Sequence, residues 1–569
     1  MIQHRSPISG IAAFRDRYVL TAGYDNQVIL WDRAGKRPVA RAWHDHLANQ
    51  ASFSPEGRYA LTSSSDHGAR LWTVPDLRLV AVLAEQDDDV EMSVFHPAKE
   101  LIATASRDHR VRVYDFTGRL LATMTGHTAD VISVEWARGA DELISSSDDG
   151  TIKRWSVPDG ALLADLDMAG VETDTIAISS VGTIYAGNDD GEIIVVREDG
   201  RDVIPAHQAG IKRLVLDDAR GLMVSLSYDR TMRLWNVAGP VPETTATASL
   251  PADVWPRSCA FAGESDLVFA TFGATYRTYD YQRRRWEEDP IPPTHGRNAV
   301  QPVPGIGVLS VGDAGIVWRD DEPLAETGSL CNFLTPAPGL VFTGGQLGKV
   351  FDALTGRELY QHRSPLNCGV LLHRDGVPHV VIGTYTGEGL VFRVPEPGRC
   401  EFVRELRLHT NAVKGVACSG GLLFSVAADA GATWYRWDDD AGSDGWAPVA
   451  TVDDAHHKIA NGCAGLGDDG AFASVSRDLL LRLWGPDRSV TALATPHTHS
   501  IKCVAASPDG RLIATGSYNG RIAVYDRRAG EWCAVQRPTT AGISSIAAAE
   551  QDGVFLASSY DGEIYQVRA

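Results

Sequence analysis

The chain has 569 residues, a net charge of −20 and eight cysteines. That acidity argues against a nucleic-acid partner, which demands clustered Lys and Arg. No apolar run reaches the length of about 20 residues that a membrane span needs, and no C-x-x-C pair or G-x-x-x-x-G-K-[ST] loop appears.

Along the chain a small turn residue is followed, six positions later, by a bulky strand-ending side chain. In the first half the pairs are Asp25/Trp31, Asp66/Trp72, Asp108/Tyr114, Asp149/Trp155, Asp190/Val196, Asp229/Trp235 and Gly273/Tyr279. In the second half they are Gly312/Trp318, Gly345/Phe351, Thr386/Phe392, Asp429/Tyr435, Asp478/Trp484, Asn519/Tyr525 and Asp561/Val567. The mean spacing of about 41 residues falls in the range of about 40–45 expected of four-stranded propeller blades.

One unit shows how the spacing arises. Val131–Trp136 alternates apolar and polar residues as a half-buried strand does. Residues 143–147 form a second strand, and Asp148-Asp149-Gly150 is hairpin chemistry that tolerates positive φ. Residues 151–155 form a third strand and 162–166 an outer fourth. Ser54-Pro55-Glu56-Gly57 and Ser507-Pro508-Asp509-Gly510 turn between first and second strands, with proline presetting φ and glycine closing the turn. No apolar stripe of helical period exceeds two turns.

After the seventh pair the chain reads Arg283-Arg284-Arg285-Trp286, then Pro290-Ile291-Pro292-Pro293-Thr294-His295-Gly296. Prolines stiffen a linker and block strand pairing, so the join falls after 285–288. The expectation is an all-β chain of two tandem seven-bladed β-propellers, residues 1–290 and 297–569. A single ring of fourteen blades exceeds the usual four to eight. The last blade has strands at Ile543–Ala548, 554–558 and 563–567, and the sequence stops before a fourth.

These features resemble the WD40-repeat family. In that family a His before the first strand, a Ser or Thr on the second, an Asp in the turn and a Trp on the third form a buried tetrad. The resemblance implies tetrads of His4, Thr21, Asp25 and Trp31; His44, Thr62, Asp66 and Trp72; His127, Ser145, Asp149 and Trp155; and His207, Ser225, Asp229 and Trp235. His409, Ser425 and Asp429 repeat the pattern with Tyr435 in the last place. The Trp-Asp dipeptide stands in register only at Trp31-Asp32, and Gly or Thr replaces the turn Asp in blades 7–10. A His, Ser and Asp recurring in many blades are read as a structural network rather than a nucleophilic triad, because buried and mutually satisfied groups cannot meet a substrate.

The resemblance places partners on the face formed by the residue before the turn Asp and the second residue of each first strand. In the second propeller this gives Arg477, Lys502, Tyr518 and Tyr560 on adjacent blades, with Lys414; in the first it gives Tyr24, Arg107, Lys212 and Tyr228. Tyr and Arg are enriched at binding hot spots. His456-His457 and His497-x-His499 lack companion ligands at metal spacing, and Asp87-Asp88-Asp89 and Asp438-Asp439-Asp440 lack the order of a calcium loop. The expectation is therefore no metal, no cofactor and no catalysis. The function expected is that of a protein- or peptide-binding scaffold, adaptor or sensor, monomeric alone and a subunit of a larger complex. A hydrolase or lyase acting at a channel mouth and an actin-interacting cytoskeletal cofactor are the alternatives. Arginines outnumber lysines 45 to 8, a codon bias that points to a bacterium. The absence of a secretory leader and of paired cysteines points to the cytoplasm.

Overall fold

The computed structural model describes residues 2–137, 141–374, 376–437 and 446–569; the Asp438-Asp439-Asp440 run lies outside them. All regular structure among them is β, and no helix is long and apolar enough to cross a membrane. The strands form fourteen antiparallel sheets, each made of consecutive strands. In chain order, sheets 1–7 span 8–43, 48–83, 90–125, 131–167, 173–205, 211–249 and 254–286. Sheets 8–14 span 297–326, 331–361, 366–407, 413–452, 460–494, 501–536 and 543–568. Thirteen have four strands; sheet 14 has three.

The chain divides into two compact units, Met1–Thr294 and His295–Ala569, with seven sheets in each. Within a unit each first strand packs against the first strand of the next sheet. In the first unit the series returns on itself. Ile8, Ile11, Val19, Ile29 and Trp31 of sheet 1 share a core cluster with Ala262, Val268, Ala270 and Tyr276 of sheet 7, and His4 N donates to the Ala274 carbonyl. In the second unit the first strands of sheets 8 and 14 are adjacent, and Ser544 Oγ of sheet 14 donates to the Arg297 carbonyl of sheet 8.

Burial follows position within the sheet. Second strands such as Tyr18–Gly23 and Leu422–Ala427 are buried throughout, as strands covered on both faces must be. Fourth strands such as Leu162–Asp167 alternate exposed with half-buried residues and form the outer edge. Core clusters lie between neighbouring sheets: Leu20, Val28 and Leu30 of sheet 1 meet Ala60 and Trp72 of sheet 2.

Every first strand carries a β-bulge where it meets the second strand; the pairing skips from Ile8 to Gly10, from Ala48 to Gln50, and likewise in all fourteen sheets. A bulged residue leaves the ladder and its side chain is re-aimed. Except in sheet 7, where the skipped stretch is longer, it is the second residue of the strand.

The tight turns also have one geometry. In thirteen sheets the residue after the turn position has φ between +59° and +93°. Glycine, which meets no Cβ penalty there, fills it at Gly150 and Gly520, whereas Asn26, His67, His109, Arg230, Ala430 and Leu479 take the left-handed conformation with a side chain. This corrects the register read from sequence in two sheets. Gly312 and Gly345 end second strands; the turn positions are Ala314 and Leu347, followed by Gly315 and Gly348. The proline-rich stretch is also more than a connector. Pro293 bridges Gly273, Ala274 N donates to the Pro292 carbonyl, and Thr294 Oγ1 donates to the Phe272 carbonyl, so 292–294 belong to the first unit.

Candidate functional site

The His-Ser/Thr-Asp-Trp sets are joined by hydrogen bonds. In sheet 1 His4 Nδ1 lies 3.0 Å from Asp25, His4 Nε2 lies 2.8 Å from Thr21 Oγ1, and Trp31 Nε1 donates to Thr21 Oγ1 at 2.8 Å. Sheet 2 repeats this with His44–Asp66 at 2.9 Å, His44–Thr62 at 2.7 Å and Trp72–Thr62 at 2.8 Å. In sheet 4 the three distances among His127, Asp149, Ser145 and Trp155 are each 2.8 Å. Sheet 6 has His207–Asp229 at 3.1 Å, His207–Ser225 at 2.7 Å and Trp235–Ser225 at 2.9 Å. Each Asp also accepts backbone N–H groups, as Asp149 does from Thr128 and Thr151. Burial opposes ionisation of these carboxyls, but the His hydrogen bond and charge prevail and hold Asp66, Asp229 and Asp429 down to about 2. Every polar atom of a set thus has a partner inside the set or on the backbone, and the hydroxyl accepts from Trp rather than facing solvent.

Four further sheets build the same device from other residues. In sheet 3 Gln86 Nε2 donates to Thr104 Oγ1 at 3.0 Å and to Tyr114 OH at 2.8 Å, while Arg112 bridges Gln86 and Asp108. In sheet 12 Arg482 stands between His456 and Asp478, and His456 Nε2 meets Ser474 Oγ at 2.9 Å. In sheet 13 His497 Nε2 meets Thr515 Oγ1 at 2.8 Å. Sheet 10 moves its carboxylate two positions along, so that Glu388 takes Thr384 Oγ1 at 2.7 Å and Arg363 at 2.5 Å. Sequence spacing missed Gln86 and Glu388 because both break the residue-type pattern; a polar side chain before the first strand and a carboxylate near the turn were the signals present.

The nine residues expected at a partner surface are all half-buried. In the first unit their charges are spent within the protein. Arg107 lies 2.5 Å from Glu91 and reaches Asp130. Lys212 contacts Asp174 and Asp189, and its ammonium sits 5.1 Å from the centre of the Tyr228 ring. Burial opposes both charges, yet these carboxylates push the Arg107 and Lys212 pKa values well up. Tyr24 meets Trp255 edge-on at 5.2 Å. Burial pushes the Asp148 carboxyl up, and Glu172, Asp130 and Asp174 push it further.

In the second unit Arg477, Lys502, Tyr518 and Tyr560 stand on sheets 12–14 or their turns. Tyr518 and Tyr560 stack, with ring centres 6.3 Å apart and planes 17° apart. Gly542 makes room for the stack, since a Cβ there would lie 2.9 Å from the Tyr560 ring. Lys414 sits 4.8 Å from the centre of the Tyr385 ring. Lys414, Lys502 and Tyr560 line one cavity of about 210 Å³; Arg477 and Tyr518 do not.

The bulged second residues of this unit are Asn298, Asn332, Asn367, Lys414, Asn461, Lys502 and Ser544, and all seven line that cavity. Five tie their sheet to the next one: Asn298 Nδ2 donates to the Cys331 carbonyl, Asn332 to Leu366, Asn367 to Val413, Asn461 to Ile501, and Ser544 to Arg297. Asn49 does the same to Val90 in the first unit. Sequence spacing singled out the two lysines at this position but not the clamps, because the acceptors are backbone carbonyls of the neighbouring repeat.

All eight cysteines are free. Cys368, Cys463 and Cys503 line the same cavity. Burial pushes the Cys368 and Cys503 thiols up to about 12 and Cys463 well up. One group that the sequence reading did not single out, His67 with Asp88 and Asp89, has ligand-type atoms within 4.8 Å of one another. Asp88 and Asp89 are buried, whereas Asp87 is exposed beside Arg110.

A family model described as WD domain, G-beta repeat, matches residues 1–32, 40–73, 78–115, 118–156 and 490–526. Over 184 residues the chain is 27% identical to the nuclear distribution protein nudF of Aspergillus niger, covering 28% of this chain and 42% of that protein. It is 30% identical over 172 residues to the human WD repeat-containing protein 37, covering 30% of this chain and 33% of that protein. Against transcription initiation factor TFIID subunit 5 of Caenorhabditis elegans it is 27% identical over 187 residues, 32% of this chain and 29% of that protein. The chain thus spans less than half the length of each of these relatives. The segments at sheets 1–4 and sheet 13 match the WD40 repeat, and through them the chain is similar to WD-repeat proteins.

Proposed function

We propose that the chain is a non-enzymatic scaffold or adaptor of two seven-bladed WD40-type propellers, divided near residues 290–297, which docks a protein or peptide partner. The observation that carries this reading is the use to which the reactive residue types are put. The His, Ser/Thr and Asp of the tetrads are consumed in buried hydrogen bonds to one another and to Trp, so these hydroxyls are not held as nucleophiles facing a substrate. The proteins it resembles include one named as a TFIID subunit and one named for its WD repeats, in keeping with a subunit of a larger assembly. Excess carboxylate around Asp148 disfavours nucleic acid, and eight free cysteines suit a reducing cytoplasm. The arginine-rich composition suits a bacterial source.

Docking falls on the turn-bearing face of the second unit, at Arg477, Lys502, Tyr518 and Tyr560. Aromatic and cationic groups side by side suit an acidic or aromatic peptide. The test is affinity of the tagged protein for the partner it retains from native lysate. The quadruple alanine variant should lose at least about 2 kcal/mol of binding, the usual cost of one hot-spot truncation. Full affinity in that variant, or turnover by the purified chain that a single substitution abolishes, would overturn the reading.

A further inference from the structure

Among the described residues sheet 14 alone has three strands. Its third strand, Ile564–Arg568, pairs with Val554–Ser559 on one side and with no strand on the other. In sheet 13 the third strand Ile522–Asp526, backed by a fourth, is buried throughout. In sheet 14 Ile564 and Tyr565 are half-buried, and Gln566 and Arg568 are exposed. An uncovered edge offers a row of backbone donors and acceptors to another extended chain. The N-terminal residues do not fill it: His4 N donates to the Ala274 carbonyl, Arg5 N to Asp25, and the Pro7 carbonyl accepts from Tyr24 N, all within the first unit.

The other sheets show what a fourth strand covers. It packs on a bulky residue near the end of the third strand of the following sheet. Ala40 and Ala42 of sheet 1 share a core cluster with Trp72, Ala81 and Leu83 of sheet 2 with Tyr114, and Ala122 and Met124 of sheet 3 with Trp155. Sheet 8 covers Phe351 of sheet 9 with Leu324 and Ala325, and Phe351 is 6% exposed. Around the second unit sheet 8 follows sheet 14, since their first strands are adjacent. Trp318 of sheet 8 holds the register position of Phe351, just past the irregularity in the pairing of third with fourth strand. It nevertheless stays half-buried, with the Arg297 guanidinium 4.8 Å from its ring centre. The indole lies where a fourth strand of sheet 14 would pack.

Register also specifies the residues of such a strand. In sheets 2, 3 and 4 Leu79, Leu120 and Leu162 stand opposite Trp72, Tyr114 and Trp155. One residue is then skipped, and Ala81, Ala122 and Ala164 stand opposite the preceding position. Leu83, Met124 and Leu166 follow two places on. The matching third-strand positions in sheet 14 are Val567, Gln566 and Ile564. Arg154, opposite Ala164, shows that a polar residue accepts the same alanine. In strand addition, backbone bonds supply affinity and alternate side chains supply selectivity.

We propose that Ile564–Arg568 receives an extended segment of a partner protein, of the form Leu-x-Ala-x-Leu or Leu-x-Ala-x-Met, which adds antiparallel as the fourth strand of sheet 14 and covers Trp318. That the segment arrives on a partner rests on the scaffold reading above; the open edge and the residue pattern do not.

The probe is a synthetic peptide with the sequence of residues 160–168, added to the full chain and followed by hydrogen exchange. In the free chain the amides of 563–568 should exchange faster than those of 522–526. Saturating peptide should slow the outward-facing ones about tenfold or more, as about nine-tenths occupancy of a closed edge requires. The same peptide carrying Ala164→Arg should give no protection, because a long charged side chain would replace the small one that packs on the indole. A fusion repeating residues 158–168 after Ala569 copies the connection of sheet 4; it should slow 563–568 without peptide, raise the melting temperature and abolish peptide binding. The proposal is overturned if 563–568 exchange as slowly as 522–526 in the free chain, if peptide leaves them fast, or if the Ala164→Arg peptide protects them equally. Protection that grows with protein concentration alone assigns the edge to a second copy and also overturns it. The quadruple alanine variant of the turn face should bind the peptide unchanged, so failure of either surface is read separately from the other.

Discussion

At the scale of single residues, the tetrad carboxylates matter more for stability than for chemistry. Asp149 accepts from His127, Thr151 and two backbone amides at 2.6–3.0 Å. Asp149→Ala leaves those buried donors unpaired and should cost about 1–3 kcal/mol. Asp87→Ala removes only an exposed partner of Arg110 and should change stability by less than about 0.5 kcal/mol. Equal shifts in denaturant midpoint for the two variants would contradict the structural role. The tetrads also set the acid limit. Burial, reinforced by Arg521, holds His497 down to about 3 in the fold, against about 6.5 unfolded. The unfolded chain therefore binds the extra proton first, and stability falls as pH drops from about 6.5 toward 3 by up to about 1.4 kcal/mol per pH unit. Asp66, Asp229 and Asp429 are depressed to about 2, so their contribution is complete above about pH 4 and is lost as pH falls through 2. His497→Gln copies the Gln86–Thr104 contact of sheet 3. It should flatten the pH dependence between about 6.5 and 3 while leaving the loss below pH 4 in place, as read by urea unfolding across pH.

At the scale of the element, the repeating sheet rests on three backbone devices: the bulge in the first strand, the left-handed residue in the tight turn and the exposed fourth strand. The bulge converts one residue per repeat from a ladder member into a side chain that reaches the neighbouring sheet. Ser9, Asn49 and the five clamps of the second unit use it to bond a backbone carbonyl next door. At Glu91, Asp174, Lys212, Lys414 and Lys502 the position holds a charge instead of an amide or hydroxyl. In the first unit these charges have both signs and pair; in the second the cavity lining has only positive ones.

At the scale of the whole molecule, each core cluster draws its members from one unit. The cluster of sheets 1 and 7 joins the ends of the first series, and Ser544 and Arg297 join those of the second. Fragments 1–294 and 295–569, expressed separately, should each give a cooperative thermal transition with near-native β content. A fragment that collapses without cooperativity, with the other present or absent, would show that its seven sheets do not close by themselves.

The sequence by itself determined the all-β class, the four-stranded repeat and the residues of the tetrads. Each is written in local spacing: alternation of period two, turn chemistry, and a hydroxyl four residues before an Asp with a Trp six after it. Local spacing misplaced the turns of sheets 8 and 9, because Gly312 and Gly345 fit a turn as readily as the end of a buried strand; only the strand ladder separates the two. It also passed over Gln86 and Glu388, since an amide or a shifted carboxylate satisfies the same donors without the same letters. What tertiary structure alone decided is which charges meet. Lys212 and Lys502 occupy one register position in two repeats and look alike in sequence. Asp174 and Asp189, brought in from a neighbouring sheet, neutralise the first, whereas seven strands more than 240 residues apart at their extremes leave the second among amides and thiols. Electrostatic partnership is set by distance in space, and in a chain of repeats nearly all such distances are made by packing.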